Sequence, residues 1–343
     1  MTVNGIDTAT QQRIIQNITS FALYGFPESH AASFALLAYA SAYCKVKYLA
    51  AFTCAILNNQ PMGFYMPAVL VKDAQRHGLR VKPIDIQISE WPRTIEHEPN
   101  GTLSTRLGMR YVKGLRRQTG EAIVASCQSD GAYWSTEDLT ARVPSLTQKE
   151  LTALARIGAL NKLDGIAHRR DALWQVQRAG TPEGPLLRAN STRLREPSNQ
   201  KPLEQMTTTE SMVADYAETG LTIGKHPMAY RREELRRSGV LSAKQLRNVE
   251  DGMFVRTAGC VIARQRPGTA MGFIFLSMED ETGIANVIVP PNVYERHRSI
   301  VARSKFIRAE GLLQNQEGVI HVKAVRLVAL STEGLELRSH DFH

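Results

Sequence analysis

The chain has 343 residues, and its 42 Lys and Arg outnumber its 33 Asp and Glu, giving a formal net charge of +9. This length suggests two or three domains, and the diffuse basic balance favours polyanionic partners such as nucleic acid. No apolar run is long enough to cross a bilayer, and the polar N-terminus does not resemble a signal peptide. Cys44, Cys54, Cys127 and Cys260 form no C-x-x-C pair, which disfavours metal or disulfide frameworks and fits a reduced, cytoplasmic location.

The first predicted elements, up to about residue 62, are helices. Ile14, Ile15 and Ile18 recur close to the helical period, so they are expected on one face of the first helix. Residues 31–44 are apolar on nearly every side, which is typical of a helix enclosed by protein. If part of that enclosing core lies outside this chain, residues 1 to about 65 should be loosely held or should drive self-association.

A turn with polar side chains stands between these two helices. Gly25 and Pro27 break any preceding helix, and Ser29 is a good N-cap for the next one. With His30 in the first turn and Tyr24 close by, a hydroxyl, an imidazole and a phenol stand beside a helix N-terminus, which can hold a phosphate. A capped core helix without any ligand has the same pattern.

The next stretch changes from a helix to an extended segment. A helix is predicted at about residues 66–77 and ends at Gly78. Residues 81–89 then alternate between apolar and polar side chains, which favours an extended strand.

Residues 101–178 have the pattern of paired helix-hairpin-helix units. Gly114 allows a tight turn after Lys113, so that backbone N–H groups can point outward at a phosphate. A basic run without acids surrounds this turn and would neutralise phosphates without reading base sequence: Arg106, Arg110, Lys113, Arg116 and Arg117. An ordinary helical turn with a solvated basic face explains the same residues equally well.

The second unit, residues 151–160 and 169–174, places Gly158 in the equivalent turn. Fewer bases surround this turn and Asp164 intervenes, so the unit is interpreted mainly as a packing partner. Its candidate DNA contacts are Arg169 and Arg170.

A linker and a short helical block follow. Residues 179–207 mix Pro, Gly and polar side chains with few apolar ones, which is typical of a linker. Helices are then predicted at residues 211–219, ending at Gly220, and at residues 227–237, ending near Gly239.

Residues from about 251 to 330 are predicted to form strands. Five strands with a helix after the third are typical of an OB-fold barrel, which binds single strands by aromatic stacking and a basic groove. Arg264 and Arg266 are the candidate phosphate contacts, and Phe273 and Phe275 are the candidate stacking residues. Both phenylalanines alternate with Ile274, so at most one face is exposed, and a core position for both fits the pattern equally well.

The chain has no recognisable catalytic or metal-binding motif. Two-metal polymerase chemistry needs clustered carboxylates, usually on a D-x-D-like strand, and the sequence contains no D-x-D. It also contains no P-loop, H-E-x-x-H motif or nucleophile elbow. Residues 279–281 are acidic but are interpreted as a turn between strands. We therefore expect no catalytic residue, metal site or cofactor in this chain.

Several ordered segments resemble bacterial C-family DNA polymerases, most closely the error-prone branch related to the DNA polymerase III alpha subunit. They lie at residues 24–65, 107–115, 157–160, 214–228, 258–270, 278–283 and 339–343. The resemblance implies template-directed, damage-tolerant DNA synthesis. It also implies that this chain is a C-terminal portion that begins inside the fingers, and that the palm with its Mg²⁺-binding aspartates lies upstream.

The same resemblance implies roles for single residues. Tyr24, Ser29 and His30 resemble positions that face the incoming nucleotide, which would bind only together with the palm. Residues 27–28 replace the Asn-Lys pair common in the replicative branch, which removes a phosphate-seeking lysine. Met271 stands where the family usually has a lysine, which weakens the nucleic-acid surface of the barrel.

The predicted fold class is multi-domain α+β, with a helical fingers remnant, a tandem helix-hairpin-helix domain and a C-terminal OB-fold barrel. The predicted divisions are fingers and connector 1–100, helix-hairpin-helix domain 101–178, linker 179–207, helical connector 208–250, barrel 251–332 and tail 333–343. The expected partners are duplex DNA backbone, single-stranded template and translesion accessory proteins, with no membrane. The chain alone is expected not to extend a primer with Mg²⁺ or Mn²⁺.

Two other classes of function fit parts of the sequence. One is a stand-alone, non-catalytic DNA- or RNA-binding protein made of helix-hairpin-helix and OB modules. The other is an accessory chain of a tRNA-handling enzyme, whose anticodon-binding barrels are similar. The turn at residues 24–30 argues against both, since neither needs a fingers element.

Overall fold

The computed structural model describes residues 5–23, 28–63, 65–179, 203–331 and 340–342. The chain divides into two compact units, Met1–Phe52 and Thr53–His343. Within the described ranges, no helix combines the length and apolar character needed to span a membrane.

The first unit is helical and contains α1 (Thr8–Leu23), α2 (Glu28–Lys47) and the start of α3 (Leu49–Asn58). At the start of α1, the Thr10 N–H donates to the Asp7 carboxylate at 2.9 Å, which satisfies a backbone group that the helix leaves unpaired. The predicted isoleucine face of α1 lies at the surface, because Ile15 is 56% and Ile18 62% exposed.

Helix α2 carries the apolar stretch that we expected to be enclosed by protein. In the structure its large apolar side chains are exposed, as Leu36 at 69% and Tyr39 at 72% show. An exposed apolar surface of this kind is uncommon on soluble monomers. Helix α2 therefore has the exposed apolar surface that we expected if part of its enclosing core lies outside this chain.

After the end of α3, the second unit contains helix α4 (Pro67–Arg76), which matches the predicted helix that ends at Gly78, and a small sheet. Its strands are ordered β1-β3-β2, with β1 parallel and β2 antiparallel to β3: β1 (Arg80–Lys82), β2 (Thr94–His97) and β3 (Leu103–Arg106). The extended prediction for residues 81–89 is right only for its first two residues. Pro83 has no N–H for a ladder, and the Asp85 N–H donates to Ser89 Oγ at 3.0 Å, which closes a turn instead.

The helix-hairpin-helix region follows as a short 3₁₀ helix (Met109–Tyr111) and four α-helices. These are α5 (Arg117–Asp130), α6 (Thr136–Arg142), α7 (Gln148–Arg156) and α8 (Arg169–Ala179). Side-chain caps start two of them, because Ser135 accepts the Asp138 N–H and Thr147 forms a capping box with Glu150. Two hairpin turns result, one at Gly114 before α5 and one at Gly158 after α7.

The connector to the barrel is helical, as predicted. It contains α9 (Thr208–Thr219), which ends at Gly220 in the left-handed conformation, α10 (Pro227–Arg237), and a 3₁₀ helix (Gln245–Asn248). Tyr216, Met228 and Leu235 of these helices pack against the outer side of the first barrel strand at Ala258 and Cys260.

The C-terminal region is a closed five-stranded barrel. Its elements are β4 (Phe254–Gln265), β5 (Ile274–Glu279), β6 (Ile284–Val289), α11 (Pro291–Arg303), β7 (Phe306–Gln316) and β8 (Val319–Ala329). The strands follow the order β5-β6-β8-β7-β4, and the β4–β5 pairing closes the ring. A helix after the third strand completes the OB-like arrangement that the sequence predicts.

The barrel is filled by inward-facing aliphatic side chains such as Leu276, Val287 and Val322, each exposed by 1% or less. The interior requires glycine at one close approach. A Cβ on Gly311 would lie 2.0 Å from the carbonyl oxygen of Lys323, beside the irregular step in the β7–β8 register. A short strand β9 (His340–Phe342) pairs in parallel with the end of β4.

A polar junction joins α4, the connector and the barrel within the second unit. Its members are Lys72, Arg76, Asp215, His226, Arg232, Glu279 and Asp280. Arg76 of α4 donates to Glu279 at the end of β5 at 2.8 Å, and His226 lies 3.7 Å from the other carboxylate oxygen. Arg232 of α10 donates to Asp280 at 3.0 Å.

The same junction holds the loop between α9 and α10. Lys72 donates to the Gly224 carbonyl at 2.5 Å, and Gln75 donates to the Ile223 carbonyl at 2.8 Å. Burial lowers the pKa of Lys72 to about 8. The acidic turn at residues 279–281, interpreted from sequence as ordinary hairpin chemistry, therefore binds arginines from two other elements.

Candidate nucleic-acid interface

The predicted nucleotide-facing residues belong to the first unit. Tyr24 lies outside the described residues. Helix α2 begins at Glu28, so Ser29 lies in its first turn and is not the N-cap that we predicted. The Ser29 carbonyl accepts the Ser33 hydroxyl at 2.8 Å, and the exposed His30 ring lies 4.5 Å from the Phe34 ring. These positions follow because the chain is already helical at Glu28, two residues before His30, where a helix capped by Ser29 would begin.

The first hairpin has the predicted left-handed glycine. Gly114 has φ +78, is exposed, and has open space where a Cβ would stand. Lys113 is turned toward the connector, where its ammonium group donates to the carbonyls of Tyr216 and Ala217 at 2.9 and 2.6 Å. Lys113 therefore caps the C-terminal end of α9, an end that favours a cation.

Two of the predicted DNA-binding arginines are engaged in the fold. Arg106 is 6% exposed and pairs with Glu96, while donating to the Pro83 carbonyl at 3.0 Å. Arg110 donates to the carbonyls of Asn58 and Gln60 at 2.5 and 3.1 Å. The basic run therefore does not form a single solvent-exposed face. The guanidinium groups of Arg106 and Arg110 donate instead to a carboxylate and to backbone carbonyls elsewhere in the fold.

The other two arginines of the run bind glutamates. Arg116 contacts both carboxylate oxygens of Glu150 at 2.9 Å, and Arg117 pairs with Glu121 one turn along α5 at 2.8 Å. Burial raises the pKa of Glu150, but hydrogen bonds from Arg116 and Thr147 outweigh burial and hold that pKa at about 2. Glu150 therefore stays ionised and fixes Arg116 between the two hairpin units.

The second hairpin is closely packed against neighbouring side chains. At Gly158 (φ +79) a Cβ would lie 2.9 Å from Asn161 Nδ2 and 3.1 Å from Arg169 Nε. Arg169 donates to Asp215 at 2.7 Å, and Arg170 donates to Glu210 at 2.7 Å, both on α9. These two predicted DNA contacts therefore join α8 to the connector.

A groove with cationic walls lies beside the first hairpin, and the sequence analysis did not identify it. Its cavity volume is about 540 Å³. We call it the α7 groove, and it is lined by Lys113, Gly114, Gln148, Lys149, Thr152, Ala153, Arg156 and Glu218. A sequence signal existed, because Lys149, Thr152 and Arg156 repeat at helical spacing on one face of α7.

The barrel residues divide into buried and exposed ones. Arg264 is 8% exposed and donates to the carbonyls of Val301 and Ser304, so it caps the end of α11. Arg266 is exposed, with its guanidinium 5.1 Å from the centre of the Tyr294 ring. Phe273 is half-buried and precedes β5, whereas Phe275 is 36% exposed and faces outward. Neither phenylalanine lies in the barrel core.

The described residues contain no cluster of three or more His, Cys, Asp or Glu side chains that could hold a metal ion. Met271, at the position where a lysine was expected by resemblance, is 89% exposed with φ +47.

Residues 78–172 match the family model described as a helix-hairpin-helix motif. The whole chain is similar to curated error-prone DNA polymerases. It is 41% identical to that of Alkalilimnicola ehrlichii, with 99% of this chain and 32% of the relative covered, and 43% identical to that of an Azoarcus species, with 100% and 32% covered.

Among solved structures, an asparaginyl-tRNA synthetase from Pyrococcus horikoshii is 26% identical over 26% of this chain and 23% of its own, with a TM-score of 0.24. A TM-score this low does not establish a shared fold. The similarity to the polymerases extends over the full chain, which spans about one third of their length. The chain is therefore homologous, from end to end, to a C-terminal segment of the error-prone DNA polymerases.

Proposed function

We propose that this chain supplies DNA-binding modules to a damage-tolerant, template-directed DNA polymerase. The observation that supports the proposal is the similarity over the full chain, in which the helix-hairpin-helix motif and the barrel occur together with the helical first unit. The whole reaction would add deoxynucleotides to a primer in the bacterial cytoplasm.

In this proposal the first hairpin grips duplex DNA through its backbone. The open, exposed turn lets a phosphate approach the backbone N–H of Gly114 without meeting a side chain. Contacts of this kind position a protein on DNA without reading base sequence. The neighbouring N–H groups of Lys113, Leu115 and Arg116 are bonded within the fold. The barrel would hold single-stranded template, with Phe275 as a stacking residue and Arg266 as a phosphate contact.

The first unit would face the incoming nucleotide, with Tyr24, Ser29 and His30 as the contacting residues. Two Mg²⁺ ions and the carboxylates that hold them would come from the palm of the complete polymerase. The chain by itself should therefore bind primer–template DNA without extending it. Translesion accessory proteins are the expected protein partners.

The proposal is tested by Gly114→Asp, which places a negative charge where a phosphate is expected. Aspartate tolerates the left-handed conformation better than most residues, so the turn should persist. Gly252→Asp is the matched control, because Gly252 also has φ +78 and open space around it. We expect Gly114→Asp to weaken binding to duplexes of unrelated sequence by about tenfold, in fluorescence anisotropy, and Gly252→Asp to leave binding unchanged.

Equal effects of the two variants would remove the hairpin from the proposal. Failure of the unmodified chain to bind any primer–template duplex would overturn the DNA-binding role itself. Residues 53–343 alone could bind duplex and single-stranded DNA as tightly as the whole chain. That result would favour the stand-alone binding protein, because the first unit would then contribute nothing to DNA binding.

A further inference from the structure

The α7 groove has an open space of about 540 Å³ between three elements of the second unit. The first hairpin forms one wall, α7 forms the second, and Glu218 at the end of α9 closes the third. The volume falls within the range of small-ligand clefts, roughly 300–1,000 Å³. The groove is therefore large enough for a sugar–phosphate unit.

The charges that line the groove favour an anion. Three cations, Lys113, Lys149 and Arg156, face one carboxylate, that of Glu218. Arg156 pairs with Glu218 at 2.8 Å, and Lys113 donates to carbonyls of α9. Lys149 is exposed and forms no ion pair with any residue that the structure describes. Of the three lining cations, Lys149 is the one that makes neither an ion pair nor a side-chain hydrogen bond with the residues that the structure describes.

Polar groups complete the walls on either side of Lys149. Gly114 leaves its side of the groove open, since a Cβ there would meet no atom within 4 Å. On the other side, the Thr152 hydroxyl donates to the Gln148 carbonyl at 2.7 Å, and it would have to rotate away from that carbonyl to donate to a phosphate oxygen. A phosphate oxygen can therefore approach Lys149 without steric hindrance from the hairpin.

The Glu218 carboxylate on the third wall opposes the binding of an anion in the groove. The backbone carbonyl of Glu218 accepts the Lys113 N–H at 2.7 Å, which fixes the backbone there, while the carboxylate is held by Arg156. A phosphate entering the groove competes with this carboxylate for Arg156 and is repelled by it. The Glu218 charge should therefore weaken anion binding without preventing it.

We propose that the α7 groove holds one phosphodiester of bound DNA, with Lys149 as its principal cation and Arg156 as a second one that Glu218 partly neutralises. This inference rests on the proposed DNA-binding role and names a contact on α7, apart from the hairpin turn. In this proposal Lys149 and Arg156 supply the positive charge that meets the phosphate. The arginines of the basic run do not supply it, because they are engaged within the fold.

The test measures duplex affinity of the full chain at several salt concentrations for three variants. Lys149→Ala should weaken binding to every duplex about three- to tenfold and lower the logarithmic salt slope by about 0.9, the value for one phosphate contact. Glu218→Gln should strengthen binding severalfold, because the carboxylate is removed while the backbone contact is kept. Lys244→Ala is the matched control, since Lys244 is an exposed lysine outside the groove, and it should leave affinity and slope unchanged.

Circular dichroism of each variant would verify that the fold is intact. An unchanged salt slope for Lys149→Ala, together with weakened binding by Gly114→Asp, would overturn the groove while keeping the proposed function. Weaker binding by Glu218→Gln would also overturn the groove as an anion site. No duplex binding by the unmodified chain would overturn both proposals.

Discussion

Helix α2 and the barrel contain the same kinds of apolar side chain in opposite environments. Leu37 of α2 is 61% exposed, whereas Leu276 of β5 is 1% exposed. The barrel closes on itself, so each strand buries its inner face against the others. A helix that is apolar all round has no such internal partner. Apolar composition therefore indicates that a segment needs a cover, while the cover itself depends on what packs around it.

Amide hydrogen exchange should show the largest difference between the barrel and helix α2, and it is therefore the strongest test of this comparison. Amides of β5 (Ile274–Glu279) should exchange on the order of a thousandfold more slowly than those at residues 31–44, equivalent to about 4 kcal/mol of opening free energy. Exchange measured by mass spectrometry, with the oligomeric state checked by sedimentation, tests this directly. Equal protection in a confirmed monomer would show that α2 is part of a complete core.

A pair of leucine truncations sharpens the comparison at single side chains. Leu276→Ala should lower the free energy of unfolding by about 3 kcal/mol, because it leaves a cavity in the filled barrel. Leu37→Ala removes the same atoms from an exposed position and should change it by less than about 0.5 kcal/mol. Chemical denaturation of both variants gives the two values, and similar losses would contradict the contrast.

The pH dependence of stability extends the contrast to a buried carboxylate in the helical region. The pKa of Glu150 is held at about 2, below its ordinary value in the unfolded chain. Its ionised form therefore stabilises the fold above about pH 4.5, and this contribution, roughly 2 to 3 kcal/mol, is lost as the pH falls toward 2. Glu150→Gln should be less stable at pH 7 and should lose less stability over that pH range. Identical pH profiles would assign the acid sensitivity to other groups.

The smallest expected effect compares a buried with an exposed glutamate. Glu279→Gln leaves Arg76 facing a neutral amide in the polar junction and should cost about 2 kcal/mol. Glu233→Gln is the control, since Glu233 pairs with Arg236 at 3.0 Å in an exposed position, and its replacement should leave the melting temperature nearly unchanged. Thermal unfolding of both variants would measure the difference. Equal shifts would show that the junction is not stabilised by its charges.

Much of the architecture was predictable because it depends on local patterns. Alternating strands, a helix after the third strand and glycines at the hairpins predict the barrel and the paired helix-hairpin-helix units. The strand expected at residues 81–89 was mostly wrong, since Pro83 interrupts the ladder and Ser89 closes a turn with Asp85. The capping pattern also placed Ser29 at the N-cap of α2, two positions before its place as the second residue of that helix. The division of the chain into domains stays a prediction.

The binding residues were harder to predict because charge in a sequence does not show which partner a side chain meets. The basic run around Gly114 was evident, yet its arginines reach Glu96, Glu150, Glu121 and the carbonyls of residues 58 and 60. Lys149 was not among the predicted residues. Its helical spacing with Thr152 and Arg156 indicates a shared face of α7, but this face becomes part of a groove only when α7 packs beside the hairpin.

By itself the sequence determined the order of the helices and strands in the connector and the barrel, the hairpin glycines Gly114 and Gly158, and the resemblance to error-prone polymerases. These properties depend on neighbours within a few residues or on ordered motifs along the chain. Only the tertiary structure decided which charges are consumed inside the fold and which face solvent. Ion pairs such as Arg76–Glu279 join residues far apart in sequence, and their formation depends on packing that no local pattern encodes.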